Sequence, residues 1–349
     1  MGRSKFHHRL PVLGRPYQER DKAREERDRA QRENEAVARE RNEAQSQRDE
    51  ALRERDEALR AKAAAEFTLS EANAKLFVPP GHFYSPIVDP AEADAHLTRL
   101  ERRPTTTSLP DVKIDREAMV ERWNAMLPFL TTNPFPEKRS DKFRYAFDNP
   151  SYSWGDASIL HAMIRQHMPR RIVEIGCGWS SACILDTVER HCDSTRLTFI
   201  DPYPALLHTL VGNTKLDHEI IELPIQKVPG TAFETIGSGD ILFIDSTHVL
   251  RTGSDVCFEL FEILPRLAHG ALVHIHDMFW PFEYPRDWVL QDKRSWNELY
   301  AIRAFLSNND KWEVIFFNDY FANMERSLVQ ATYPDFLRNT GGALWLRRI

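Results

Sequence analysis

Arg171-Ile172-Val173-Glu174-Ile175-Gly176-Cys177-Gly178-Trp179-Ser180-Ser181 reads as a short strand, a turn and the start of a helix. Apolar residues fill Ile172–Ile175 apart from Glu174. Two glycines then permit a tight turn and a close approach of backbone to a ligand. The helix that follows, predicted over Ser180–Arg190, offers unpaired N–H groups at its first turn. Gly-x-Gly alone is weak evidence, because nucleotide-binding turns of several kinds contain it. Glu174 is the discriminating residue. A pyrophosphate beside it would be repelled, whereas an ammonium or sulfonium would be attracted.

S-adenosylmethionine (SAM) carries both of those cations and no phosphate. Ser181 stands where a dinucleotide fingerprint has its third glycine, which also leans away from NAD. The second predicted strand, Arg196–Ile200, ends at Asp201, where a carboxylate can accept two ribose hydroxyls. Two plainer readings stay open: Glu174 paired with Arg170 or Arg171 on a surface, and Asp201 capping its own loop before Pro202.

Working outward, short apolar runs alternate with amphipathic ones. Helix 158–166 precedes the first strand. Strands follow at 196–200, 218–222, 240–245 and 271–275, with helices at 254–264 and 295–307. Strands Trp312–Phe317 and Ala343–Arg347 finish the pattern. This alternation specifies an α/β fold with a doubly wound, mainly parallel sheet. No clear helix is read between Phe321 and Thr340, so an antiparallel terminal strand fits the ending.

RIVEIGCGWSS, LTFIDPYP, DILFIDSTHV and the run ending HIHDMFWPFEYP together resemble the class I SAM-dependent methyltransferases. Within these the chain is similar to the branch of macrocin-type O-methyltransferases and cephalosporin-hydroxylase-like proteins. The resemblance covers Tyr152–Ile349. It implies a Rossmann-like seven-stranded sheet of order 3-2-1-4-5-7-6, with Glu174, Gly176, Gly178, Ser180 and Asp201 at the cofactor. Strands four and five are neighbours in that order. Asp245 and Asp277 at their ends would then face each other, and such carboxylates suit Mg²⁺ or another divalent ion. Metal-dependent relatives use carboxylates there. His276 is a third candidate ligand, or a partner of Asp277. His248 is the candidate base for the acceptor hydroxyl, acting beside Asp245. His274 lies deeper and reads as a core histidine. Trp154, Trp179, Trp280, Phe282 and Tyr284 are expected to wall the site, with Trp280–Pro285 as a lid or acceptor loop. His82, Phe83 and Tyr84 are candidates to close it from the N-terminal side. The expected acceptor is a hydroxyl on a sugar, glycan or other polar small molecule. An oxygenase on the same scaffold and a non-catalytic SAM-binding or scaffolding protein are the alternatives.

Upstream the character changes. From Arg20 to Lys75 there is neither Pro nor Gly, and a seven-residue unit recurs, as in RDEALRE and RDEALRA. Its fourth position is Ala23, Ala30, Val37, Ala44, Ala51 and Ala58. A long helix over residues 18–76 is expected, either a coiled coil that makes a homo-oligomer or a solvated spacer. Residues 1–17 are expected to be disordered, 77–150 to be a connector packed on the body, and 151–349 to be the SAM-binding domain. The net charge of −6 gives no basic field for nucleic acid. No apolar run approaches the ~20 residues of a membrane span. The four cysteines form no CxxC pair, so a reducing cytoplasm is expected.

Overall fold

Strands buried on both faces must be largely apolar, and the computed structural model pairs two fully buried runs, Ile241–Ile244 and Leu272–Ile275, side by side. It describes residues 15–74, 76–212 and 214–349. The chain divides into two units, one up to Pro79 and one from Pro80 to Ile349.

The first unit is helix α1, Arg15–Asn73. It begins inside the stretch expected to be disordered; the rest of that stretch, residues 1–14, lies outside the described residues. Every described side chain from Glu19 to Ser70 is exposed, so the helix buries no core of its own. Pairs one turn apart, Arg29–Glu33 at 3.1 Å and Lys62–Glu66 at 3.8 Å, support it locally by a few tenths of a kcal/mol each, about 0.2–0.5.

In the second unit, α2 (Pro90–Glu101), α3 (Arg116–Leu130) and α4 (Trp154–His167) precede strand β1 (Arg171–Ile175). Then come α5 (Trp179–His191), β2 (Arg196–Ile200), α6 (Ala205–Val211), β3 (His218–Ile221), β4 (Ile241–Ile244) and α7 (Asp255–Phe258). Strand β5 (Leu272–Ile275), α8 (Arg286–Leu290), α9 (Glu298–Leu306), β6 (Trp312–Phe317), α10 (Asn318–Met324), α11 (Arg326–Thr332) and β7 (Leu344–Arg348) complete the chain. The sheet order is β3-β2-β1-β4-β5-β7-β6. Strands β1 to β5 pair in parallel, and β7 runs antiparallel to both β5 and β6. The seven-stranded order and the antiparallel last strand are those expected. The chain reverses direction across the sheet between β1 and β4, and the crevice beyond their carboxyl ends is where such sheets bind ligands.

Several elements differ from expectation. The helix foreseen at 254–264 holds α-geometry only to Phe258. A π-turn, Glu259–Ile263, and a 3₁₀ turn, Leu264–Arg266, replace the rest. Pro265 cannot donate to the helical ladder, and the widened turn carries Glu259 into the interior, 1 % exposed. Between Phe321 and Thr340, where no clear helix is read and Ala322–Gln330 is ambiguous, the structure has the end of α10 and all of α11, each too short to show a period. Helices α6 and α8 were not foreseen, for the same reason. Helix α4 starts a turn early, and in its first turn Gly155 lies against the Thr340 carbonyl, where a Cβ would sit 2.2 Å from the oxygen.

The segment after Pro80 is built into the core. Asp89 caps α2 by accepting from the N–H groups of Ala91 and Glu92. Met119, Trp123, Met126 and Leu130 recur on one face of α3 and are buried. Trp123 packs on Phe321 and Phe336, centroids 5.1 and 5.4 Å away, and its indole N–H donates to Thr332 Oγ1 at 3.0 Å.

Candidate functional site

Glu174 occupies the penultimate position of β1 and is fully buried. Ser180 and Ser181 at the start of α5 donate to its two oxygens, each at 2.6 Å. Burial raises its pKa to about 8, against the hydrogen bonds of the two serines; Asp245 and Asp201 add to the rise. It is therefore no surface partner of Arg170 or Arg171, whose backbone N–H groups instead donate to Asp240. The two glycines do different things. Gly176 has φ +78°, and a Cβ there would lie 1.7 Å from the Asp245 carbonyl oxygen. Its close approach is thus to β4 rather than to a ligand. Gly178 is extended, and a Cβ there would meet nothing within 4 Å, so the loop is open on that side. Asp201 accepts from the backbone N–H of Cys177 at 3.0 Å and of Tyr203 at 2.6 Å. It ties the β1 and β2 loops together with one lone pair per oxygen engaged in this way.

The adjacent strand ends bring three groups to one point. Asp245 follows β4 and Asp277 lies just beyond β5. His248 Nε2 stands 3.4 Å from Asp245 Oδ1 and 3.3 Å from Asp277 Oδ2. One ligand atom from each of the three falls within 4.8 Å of the others. His248 and Asp277 have φ of +60° and +58°, a region non-glycine residues adopt at a cost of about 1–3 kcal/mol, and one that clusters at functional sites. Burial opposes charge on His248, but hydrogen bonds and charge from Asp245 and Glu298 hold its pKa well above the ordinary imidazole value. Asp245, half-buried, is held low by the charges of His276 and His248, against its desolvation.

His276 is not in this group. Its Nε2 lies 3.5 Å from Asp277 Oδ1, its ring sits 5.2 Å from Tyr152, and its Nδ1 has no partner among the described residues. It backs Asp277 instead of converging with the three. His274 stacks on Phe243 at 4.0 Å with neither ring nitrogen bonded. Burial drives its pKa well below the usual value, as befits a core residue.

Three participants lacked a sequence signal. Glu298, 2 % exposed, accepts from His248 Nδ1 at 2.8 Å. Trp296 lies 4.3 Å from the His248 ring. Asp156, in the first turn of α4, accepts from Asn318 at 3.2 Å. Burial raises its pKa to about 7, against the charge of His276. These residues stand on helices and a loop far from the β4 and β5 motifs, and only tertiary packing brings them in.

The expected aromatic wall is redistributed. Trp280, Phe282 and Tyr284 are buried. Trp280 packs on Tyr320 and Phe317 and donates its indole N–H to Thr106 O. The stretch expected as a lid is thus fixed in the core. Trp154 is sandwiched between Phe147 and the Arg338 guanidinium. Trp179 stays partly exposed beneath Arg139. The rings grouped with His248 are Trp296, Tyr284 and Trp288. His82 and Phe83 line a groove with His96, Glu283 and Tyr300, and the Tyr84 ring lies tilted against Phe83, centroids 4.3 Å apart.

The residues present fit both expected ligands. A buried carboxylate beside an open glycine loop suits a cationic nucleoside. Two carboxylates with one imidazole suit a hard divalent ion better than the two-histidine, one-carboxylate iron set.

Among solved structures, the chain is similar to an SAH-bound methyltransferase of Podospora anserina, with 16 % identity over 74 % of this chain and 96 % of that one, TM-score 0.36. It is also similar to an O-methyltransferase of Bacillus cereus in complex with SAH, with 10 % identity over 74 % and 97 %, TM-score 0.34. The sheet order, and not these likenesses, carries the fold. An uncharacterized protein of Archaeoglobus fulgidus is 28 % identical over 165 residues, covering 46 % of this chain and 74 % of its own. No helix among the described residues is long and apolar enough to cross a membrane. Residues 173–278, which run from β1 through Asp245 and His248 to just past Asp277, match the family model described as a methyltransferase domain.

Proposed function

We propose that this protein is a SAM-dependent O-methyltransferase, assisted by a divalent metal, that acts on a hydroxyl of a sugar, glycan or other polar small molecule. The observation that carries the reading is the joining of two features within the matched domain: the buried Glu174 behind an open glycine loop, and the Asp245–His248–Asp277 group on the neighbouring strand ends.

Glu174, Gly176, Gly178, Ser180 and Asp201 form the SAM site in this reading. Glu174 supplies negative charge, Ser180 holds that carboxylate, Gly178 leaves room, and Asp201 keeps lone pairs for ribose hydroxyls. Asp245 and Asp277 hold the metal, with His276 steadying Asp277. A divalent cation there supplies Lewis acidity toward the acceptor hydroxyl. His248 receives the acceptor proton at Nε2. Asp245 and Glu298 hold that imidazole in its charged form, so Asp245 must exchange it for another counter-cation before Nε2 is free. The remaining contribution is alignment of sulfonium, methyl and oxygen.

Calorimetric titration with S-adenosylhomocysteine and with NAD, each with and without Mg²⁺, tests the cofactor. Transfer of label from SAM to a panel of sugars, in the absence of O₂ and reductant, tests the reaction. Binding of NAD and not of the SAM product, or turnover that requires O₂, rejects the reading. We further infer that α1 joins copies of the chain, since a small apolar residue at every seventh position supports self-association.

A further inference from the structure

The segment Trp296-Asn297-Glu298 meets the His248 loop at every level. The backbone N–H groups of Asn297 and Glu298 both donate to the His248 carbonyl, at 3.1 and 3.2 Å. The Asn297 side chain brackets Leu250, accepting from its N–H at 2.6 Å and donating to its carbonyl at 3.2 Å. Trp296 lies against one face of the imidazole, centroids 4.3 Å apart. The Glu298 carboxylate, 2 % exposed, takes Nδ1 at 2.8 Å. Backbone, neighbour and ring are thus all held by three consecutive residues, and the held residue has φ +60°. A left-handed histidine persists only where its surroundings over-determine it.

We propose that Glu298 is the positioning residue for His248, and that Trp296–Glu298 is the clamp that keeps its ring aimed between Asp245 and Asp277. An ionised carboxylate accepts and cannot donate, so opposite ionised Glu298 the proton of this hydrogen bond belongs to Nδ1 whatever the charge of the ring. Nε2, 3.4 and 3.3 Å from the two aspartates, is then the nitrogen presented to the reaction. A hydrogen bond at one ring nitrogen commonly sets what the other can do. This role rests on the functional reading above for its purpose, but its geometry is testable without ligand.

The test is a nitrogen-15 histidine spectrum of the full chain with no ligand added, the His248 signals being identified by their loss in H248A. Expected is a slowly exchanging Nδ1-bound proton in the wild type, kept in E298Q, whose amide carbonyl still accepts, and lost in E298A with the thermal unfolding transition still cooperative. Absence of that proton in the wild type overturns the proposal, as does its persistence in E298A. If E298A does not fold, the wild-type and E298Q spectra decide. Turnover on the sugar panel should fall 10–100-fold in E298A with the KM for SAM unchanged, and E298A should cost nothing further in an H248A background. A protein that shows the Nδ1 proton but binds no S-adenosylhomocysteine would reject the methyltransferase reading while keeping the clamp.

Discussion

The α-carbon of Gly176 faces the carbonyl oxygen of Asp245 so closely that a methyl group would come within 1.7 Å of it. The turn proposed to receive the cofactor and the strand end proposed to hold the metal are therefore one packed object. Gly176→Ala combines that clash with a positive φ, and should destabilise the fold by more than about 2 kcal/mol. Gly178→Ala meets open space and should change stability by less than about 0.5 kcal/mol, yet weaken S-adenosylhomocysteine. Urea unfolding and calorimetry on the two variants separate the roles.

Glu174 gives a pH signature with a definite sign. Its folded pKa, about 8, lies above the ordinary carboxylate value of about 4.3. Between those values the folded state holds a proton that the unfolded state has lost. Stability is thus lost as pH rises from about 4.5 through 8. Glu174→Gln should flatten this slope in urea unfolding series and gain stability at pH 9. Binding of a cationic nucleoside should release a proton at pH 7 in the wild type, visible as a buffer-dependent calorimetric enthalpy, and release none in the variant.

Removing the proposed metal should stop the reaction without unfolding the protein. Treatment with a chelator should abolish transfer of label from SAM, and Mg²⁺ or Mn²⁺ should restore it. Asp245→Asn and Asp277→Asn should each cut turnover at least 100-fold and resist rescue by added metal. Activity that survives both the chelator and the two substitutions would remove the metal from the mechanism.

The role proposed for helix α1 is in assembly alone. A chain starting at Pro80 should retain S-adenosylhomocysteine affinity within about two-fold, since every residue proposed for the cofactor site comes after it. Light scattering after gel filtration should report a multimer for the full chain and a monomer for the shortened one. A full-length monomer would leave α1 as a spacer.

The sheet was legible because strands 171–175 and 312–317 are bounded by abrupt changes of polarity, and because Glu174, Gly176 and Asp201 sit at strand ends, where position can be read from sequence. The helical segments past the fourth strand were less so. Pro265 marks the break in 254–264, but nothing local says that a π-turn would bury Glu259. The near half of the candidate site, Asp245, His248 and Asp277, shows in two short runs. Its far half does not. Glu298 and Asp156 look like ordinary first-turn acids, of the kind that favour helix N-termini. What makes them interior is the packing of α9 and α4, a property of the whole fold.

Strand β7 enters the sheet between β5 and β6, and the Gly341-Gly342 turn just before it lies against Asp156 and Asp277. A nascent polypeptide emerging from the ribosome can pair β1 through β5 before these residues exist, yet it leaves the β5 edge open and Asp277 unsupported until they arrive. Any product interrupted before Gly341 would carry every residue proposed for chemistry and still lack the wedge that packs against Asp277.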